Sequence, residues 1–159
     1  MCGPPPVRIR CHTERVMIET LPAFEMTVAV APGDIDELDH VNNVIYLRWV
    51  QDVAVAHWTS FAPAAELERL VWVVLRHEID YKQPARLGDR IVARTWVGHA
   101  TRVRFERHTE LLREADGVLL AKALTIWCPL DRITGRPAAV GAEARARFSV
   151  AAAPDASER

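Results

Sequence analysis

Asn42-Asn43-Val44-Ile45-Tyr46-Leu47-Arg48-Trp49-Val50-Gln51-Asp52-Val53-Ala54-Val55-Ala56-His57-Trp58-Thr59-Ser60-Phe61 is the stretch that decides the fold. Its strongly polar positions, Arg48, Gln51, Asp52, Thr59 and Ser60, trace one narrow stripe at a spacing of 3.6. Nearly everything else is apolar, so the pattern predicts a long helix enclosed by other structure rather than laid on a surface. Val44, Ile45, Val50, Val53 and Val55 are β-branched and lower helix propensity slightly, so burial must supply the stability.

On the N-terminal side, Glu25 to Ala31 alternate with Met26, Val28 and Val30 on one face, the period of a strand. Pro32-Gly33-Asp34 then turns the chain. On the C-terminal side, Ala64 to Leu70 add one or two helical turns, and four strands follow. The first, Val71–Tyr81, sets Val71, Val73, Leu75, Ile79 and Tyr81 against Trp72, Val74, Arg76, Glu78 and Asp80. The others are Arg90–Val97, Thr101–Leu112 and the most apolar, Val118–Pro129. The connections Lys82–Asp89, Gly98–Ala100 and Arg113–Gly117 are short and contain glycine, which predicts antiparallel neighbours. Ala138–Phe148 reads as a short terminal helix. The class is α+β, with an antiparallel sheet of about five strands wrapped around one long helix.

The chain has 159 residues, a length for one domain of roughly 100–200 residues. Three prolines at Pro4–Pro6 and scattered charges predict an N-terminal arm over residues 1–23, ahead of a domain over 24–150 and a flexible tail over 151–159. Twenty Lys and Arg against 21 Asp and Glu leave a net charge of −1, without the basic excess of a nucleic-acid binder. Cys2, Cys11 and Cys128 are odd in number and scattered, which suits a reducing compartment better than a disulfide framework. No apolar run is long enough for a membrane span or a signal peptide, so the expectation is a cytoplasmic protein with no membrane partner.

The chemistry concentrates just before the long helix, in Asp34-Ile-Asp36-Glu-Leu-Asp39-His40-Val-Asn42-Asn43. Polar groups are costly to bury unpaired, so seven of them in ten positions at a core boundary want a reason. Capping by Asp39 or Asn42, at about 1 kcal/mol, accounts for one of them.

The string D-x-D-x-x-x-H-V-N-N-x-x-Y-L-x-W over Asp34–Trp49 resembles the hotdog-fold thioesterases, which include 4-hydroxybenzoyl-CoA thioesterase-like enzymes and acyl-ACP thioesterases. A second landmark, Glu78-Ile-Asp-Tyr81-Lys-Gln-Pro84-Ala-Arg-Leu-Gly88-Asp89, resembles the same family's strand and turn. The resemblance covers about residues 24–132 and implies a single hotdog domain. It aligns Asp36 with the family's catalytic carboxylate and His40 with the histidine of acyl-ACP thioesterases, although Leu38 stands where those carry Asn. Asn43 occupies the place of a histidine used by a bacterial acyl-CoA branch. Asp39 stands where the family often has Gly. The implied catalytic set is Asp36, His40 and Asn43, with Val41, Asn42 and Tyr46 against the substrate.

Those residue types suit an acyl thioester, whose thiolate leaves readily. The enzyme then needs a carboxylate to attack or to deprotonate water, and a place for the oxyanion. Helix N-terminal amides around Val41 to Asn43 would serve as that place. The resemblance further implies a coenzyme A or acyl-carrier-protein substrate, no cofactor, and a homodimer or homotetramer. Lys82, Arg86, Arg90, Arg102 and Arg104 are candidate partners for coenzyme A phosphates. Asp52 is a second possible carboxylate site, because one group of hotdog thioesterases carries its acid on this helix. Two rivals are a hotdog hydratase or dehydratase, whose D-x-N-P-x-H and His-Phe-Pro runs are absent, and a non-catalytic acyl-CoA-binding module. No metal-ligand spacing, phosphate loop or G-x-S-x-G motif occurs.

Overall fold

The computed structural model describes residues 23–148 and 150. The expected arm, apart from Ala23, and the expected tail lie outside the described residues. The elements are β1 (Phe24–Ala29), α1 (Asn43–Phe61), α2 (Ala64–Arg69), β2 (Leu70–Tyr81), β3 (Arg90–Ala100), β4 (Phe105–Arg113), β5 (Leu119–Asp131) and α3 (Ala142–Arg147). The five strands form one antiparallel sheet in the order β1-β3-β4-β5-β2. The α+β hotdog arrangement predicted from the sequence is the one observed. Among the described residues no helix is long and apolar enough to cross a membrane.

Helix α1 lies across β1, β3 and β4 and buries Tyr46, Trp49, Val50, Val53 and Ala54. Its enclosure is less complete than the apolar pattern suggested. Val44 is 58% exposed and Val55 48%, so part of the apolar circumference faces outward from the single chain. The polar stripe of Gln51, Asp52, Thr59 and Ser60 is exposed, as its spacing required.

Two features of the sheet depart from the sequence reading. β2 does not pair with β3. It pairs with β5 at one edge, while β1 takes the place beside β3 at the other. The 82–89 link therefore crosses the sheet instead of closing a hairpin, although its length and glycine look like a hairpin turn. Strand β2 also carries an irregularity between Val74 and Arg76, so Leu75 has no partner in the register. A bulge shifts the alternation by one residue. Leu70, Trp72 and Val74 face the core before it, and His77 and Ile79 are the half-buried positions after it. The single face expected for Val71, Val73, Leu75, Ile79 and Tyr81 is thereby split, and Val73 and Leu75 are exposed.

Candidate active site

The segment between β1 and α1 is built around Asp34, which is 4% exposed. One carboxylate oxygen accepts the Ala31 N–H (2.9 Å) and the other pairs with the Arg48 guanidinium (2.8 Å). The Asp34 carbonyl accepts the Asn42 N–H at 2.8 Å. One acid thus ties β1, the loop and the second turn of α1 together, and its role is structural.

From that anchor the chain makes a narrow loop. Ile35 and Val41 pair as an antiparallel bridge, and the Asp36 N–H donates to the His40 carbonyl at 2.8 Å. Asp36 and His40 therefore stand opposite each other on facing backbones. The Asp36 carboxylate accepts the Leu38 N–H at 2.9 Å, closing a local turn. Asp39 has φ of +59°, the left-handed region that Asp and Gly tolerate best. That conformation suits glycine equally, and it corrects the reading of Asp39 as a cap. Asn42 is the cap, its side-chain oxygen accepting the Val44 N–H at 3.1 Å.

The helix start is clasped by the 82–89 link. The Val41 N–H donates to the Ala85 carbonyl (2.9 Å), and the Ala85 N–H donates to the Tyr46 hydroxyl (2.8 Å). Ala85 is fully buried between them. The Tyr81 hydroxyl donates to the Asn43 carbonyl at 3.0 Å, and the Tyr46 and Tyr81 rings meet edge-to-face at 5.2 Å. Burial pushes the Tyr46 pKa up, which keeps it a neutral phenol. Gly88, at φ +91°, makes the turn that lets Asp89 accept the Arg86 N–H and meet Arg113. The two sequence landmarks, far apart in the chain, are here two halves of one structure.

This geometry sorts the predicted residues. Asp36 and His40 are half-buried on the loop, and Asn43 is exposed at the first helical position. Among the described residues, no side-chain hydrogen bond joins the three. Val41 is buried in the core, and its N–H is occupied by Ala85. The Asn42 N–H is occupied by Asp34. Neither amide is free to receive a substrate oxygen, which corrects that part of the expectation. The Asn43 N–H has no partner among the described residues, and it opens the positive end of a 19-residue helix. Tyr46 is buried and holds Ala85, so it supports the site rather than lining it.

Asp52 is exposed on the polar stripe, away from this loop. Lys82 and Arg86 are exposed on the link beside the helix start, whereas Arg102 and Arg104 belong to the β3–β4 link at the opposite end of the sheet. Arg90 is paired with Glu114 at 2.7 Å. No group of three or more His, Cys, Asp or Glu among the described residues is placed to hold a metal ion.

A family model described as the thioesterase-like superfamily matches residues 30–148, three quarters of the chain, including both landmarks. The chain belongs to the thioesterase-like superfamily. No curated protein matches this superfamily member significantly. Among solved structures, a thioesterase of Thermus thermophilus complexed with coenzyme A and Zn is 27% identical, with a TM-score of 0.69 over 80% of this chain and 97% of that one. The 1,4-dihydroxy-2-naphthoyl-CoA thioesterase of Synechocystis has a TM-score of 0.70 at 18% identity, over 80% and 96% of the two chains. A hypothetical protein of Staphylococcus aureus in complex with CoA has a TM-score of 0.71 at 18% identity, over 80% and 82%. The two likenesses at 18% are likenesses of fold.

Elsewhere this thioesterase-like chain carries a polar pair that reading along the sequence does not join. An Arg107 nitrogen donates to His57 Nδ1 at 3.0 Å and to the Thr95 hydroxyl at 3.3 Å. Burial, reinforced by the Arg107 charge, lowers the His57 pKa to about 4, so the imidazole is neutral and accepts. His57 also stacks on Phe24 and meets Phe61 and Phe148 edge-on. His57 is a half-buried, hydrogen-bonded core histidine. Its partner became visible only once β4 was laid beneath α1.

Proposed function

We propose that this chain hydrolyses acyl thioesters of coenzyme A or of an acyl carrier protein. The thioester carbonyl would sit between the Asp36–His40 loop and the start of α1. Asp36 either attacks the carbonyl carbon or takes a proton from the water that does. His40, on the facing backbone, orients that water or polarises the carbonyl. The developing oxyanion is received by the Asn43 N–H and by the positive end of the helix. Collapse of the tetrahedral species breaks the carbon–sulfur bond, and the thiolate leaves with its electron pair to be protonated in water. Where water attacked, the carboxylic acid is formed directly; where Asp36 attacked, a mixed anhydride is left, and a second water adds to its acyl carbon and breaks the bond to the Asp36 oxygen. The products are a carboxylic acid and a free thiol. Asn42 caps and Tyr46 clasps, so both position the donor without touching the reacting atoms. Exposed Lys82 and Arg86, beside the helix start, suit the coenzyme A phosphates.

One observation supports the reading most. The loop bearing the family's carboxylate runs directly into a helix start where the Val41 and Asn42 amides are occupied and the Asn43 amide is open. Association as a homodimer or homotetramer belongs to the same proposal, because β2 leaves one edge unpaired and exposes Val73 and Leu75 there.

The test is thiol release from acyl-CoAs of about 2 to 18 carbons and from benzoyl and phenylacetyl thioesters, with wild type and Asp36→Asn side by side. The expected result is turnover of at least one member and a loss of about a hundredfold or more in the variant, roughly 2.7 kcal/mol of barrier. Absence of turnover on every member, with acyl-CoA binding that survives the substitution, would leave a non-catalytic acyl-CoA-binding module instead.

A further inference from the structure

The irregularity at Leu75 decides which side chains of β2 face inward. Before it the inner positions are Leu70, Trp72 and Val74, and after it they are His77, Ile79 and Tyr81. An unbroken alternation would have turned Arg76, Glu78 and Asp80 inward instead. His77 and Ile79 are half-buried and Tyr81 is exposed, because α1 lies across β1, β3 and β4 rather than β2. Opposite this strip on β5 stand Ala121, Ala123 and Thr125, so no bulky side chain rises beside it on that strand.

The two ends of the strip differ in chemistry. At one end the Tyr81 hydroxyl donates to the Asn43 carbonyl at 3.0 Å, on the residue whose amide is open. At the other end His77 Nδ1 bonds Thr125 Oγ1 at 2.9 Å, with the threonine fully buried behind it. Burial lowers the His77 pKa, so the ring is neutral. Among the described residues its second nitrogen, Nε2, has no hydrogen-bond partner. Nε2 donates or accepts according to which way the Thr125 bond runs, and a hydroxyl suits both cases because it does both. Between the ends Ile79 is apolar. From Tyr81 to His77 the strand advances roughly 13 Å, the reach of about eleven extended bonds.

We propose that this strip receives the acyl chain of the thioester and that His77 selects chains bearing a hydroxyl group far from the thioester carbonyl. The carbonyl sits at the Asn43 amide, the hydrocarbon lies on Tyr81 and Ile79, and the hydroxyl meets His77 Nε2. The substrate class rests on the thioesterase reading above. A hydroxyl on a single aromatic ring next to the carbonyl falls short of His77. An unsubstituted chain covers Nε2 without pairing it, and a polar group left unpaired is what rejects the wrong substrate.

The test compares decanoyl-CoA with ω-hydroxydecanoyl-CoA on the full chain in two readouts. One is thiol release by the wild type, and the other is titration calorimetry on Asp36→Asn, in which turnover is slow. The hydroxylated chain is expected to have a kcat/KM about tenfold or more higher and to bind tighter by a similar factor. Adding His77→Phe should bring both ratios to about one or below. His77→Gln, which keeps a hydrogen-bonding group and a partner for Thr125, should retain part of the preference. Equal kcat/KM and equal affinity for the two chains would overturn the inference and leave the thioesterase reading standing. No thiol release, with the preference still present in calorimetry, would overturn that reading and keep the strip. A preference that survives His77→Phe would overturn the selection by His77.

Discussion

The backbone N–H of Ala85 donates to the hydroxyl of Tyr46 at 2.8 Å, with both residues buried. Through that bond a link from the far edge of the sheet sets the start of α1. Tyr46→Phe leaves the Ala85 N–H buried without a partner, which costs about 1–3 kcal/mol. Tyr81→Phe removes a bond from a residue that is 46% exposed, so its cost should stay under about 1 kcal/mol. Urea unfolding of the two variants measures the difference. Equal costs would mean that the Ala85 clasp does not carry the helix start.

If the Asn43 amide receives the oxyanion, Asn43→Pro should separate catalysis from stability. Asn43 is the first helical residue, where proline is favoured and its missing N–H costs the helix nothing. Asn42, at φ −57° and ψ 138°, already has the extended conformation required before proline. The expected outcome is a fall in kcat of about a hundredfold to a thousandfold with a thermal midpoint close to wild type. Asn43→Ala, which keeps the amide, should retain most activity if the side chain is dispensable. Full activity in Asn43→Pro would dismiss the amide.

Stability should fall on the acid side because of His57. Its pKa is near 6.5 when unfolded and about 4 when folded, lowered by burial and by Arg107. The unfolded chain therefore takes up the proton first. Stability from this group is complete above about pH 6.5 and is lost as the pH falls toward 4. At about 1.36 kcal/mol per pH unit the window carries at most roughly 3 kcal/mol, and solvent screening of the half-buried ring lowers that. His57→Gln keeps an acceptor for Arg107 but does not titrate. Its unfolding free energy should be flatter than that of wild type between these pH values, and parallel curves would refute the assignment.

The β2 edge gives a prediction about association. Val73 and Leu75 are exposed beside unpaired backbone, and Leu75 is pushed out by the irregularity next to Val74. If the chain associates through this edge, as proposed, Leu75→Glu should shift the assembly toward monomer in sedimentation equilibrium. Far-UV circular dichroism should be unchanged, because the side chain is exposed on its own chain. An unaltered assembly would place the interface elsewhere.

Much of the site was legible because its signals are local. The cap at Asn42 is a matter of one side chain and an amide two residues on. The turn at Gly88 needs a positive φ that few residues supply, and the same reason explains Asp39 once its φ is known. The crowding of acids, His and Asn before an apolar helix marked the loop without any coordinates. Which of three neighbouring amides stays open was not legible, since it depends on Asp34 and Ala85 reaching them from elsewhere.

The sequence by itself determined the element types, the length of α1 and the two motifs of the thioesterase-like superfamily. Periodicity, capping and glycine placement act within a few residues, and those forces are written in the chain's order. Only the tertiary structure decided that β2 pairs with β5, that Leu75 is bulged, that Ala85 clasps the helix and that Arg107 meets His57. Strand order and register minimise unpaired backbone and exposed apolar surface over the whole sheet. A short glycine-containing link is compatible with a hairpin or with a crossing. In the crossing the Ala85 N–H meets the Tyr46 hydroxyl, between residues 39 positions apart, a contact that no local signal in the link announces.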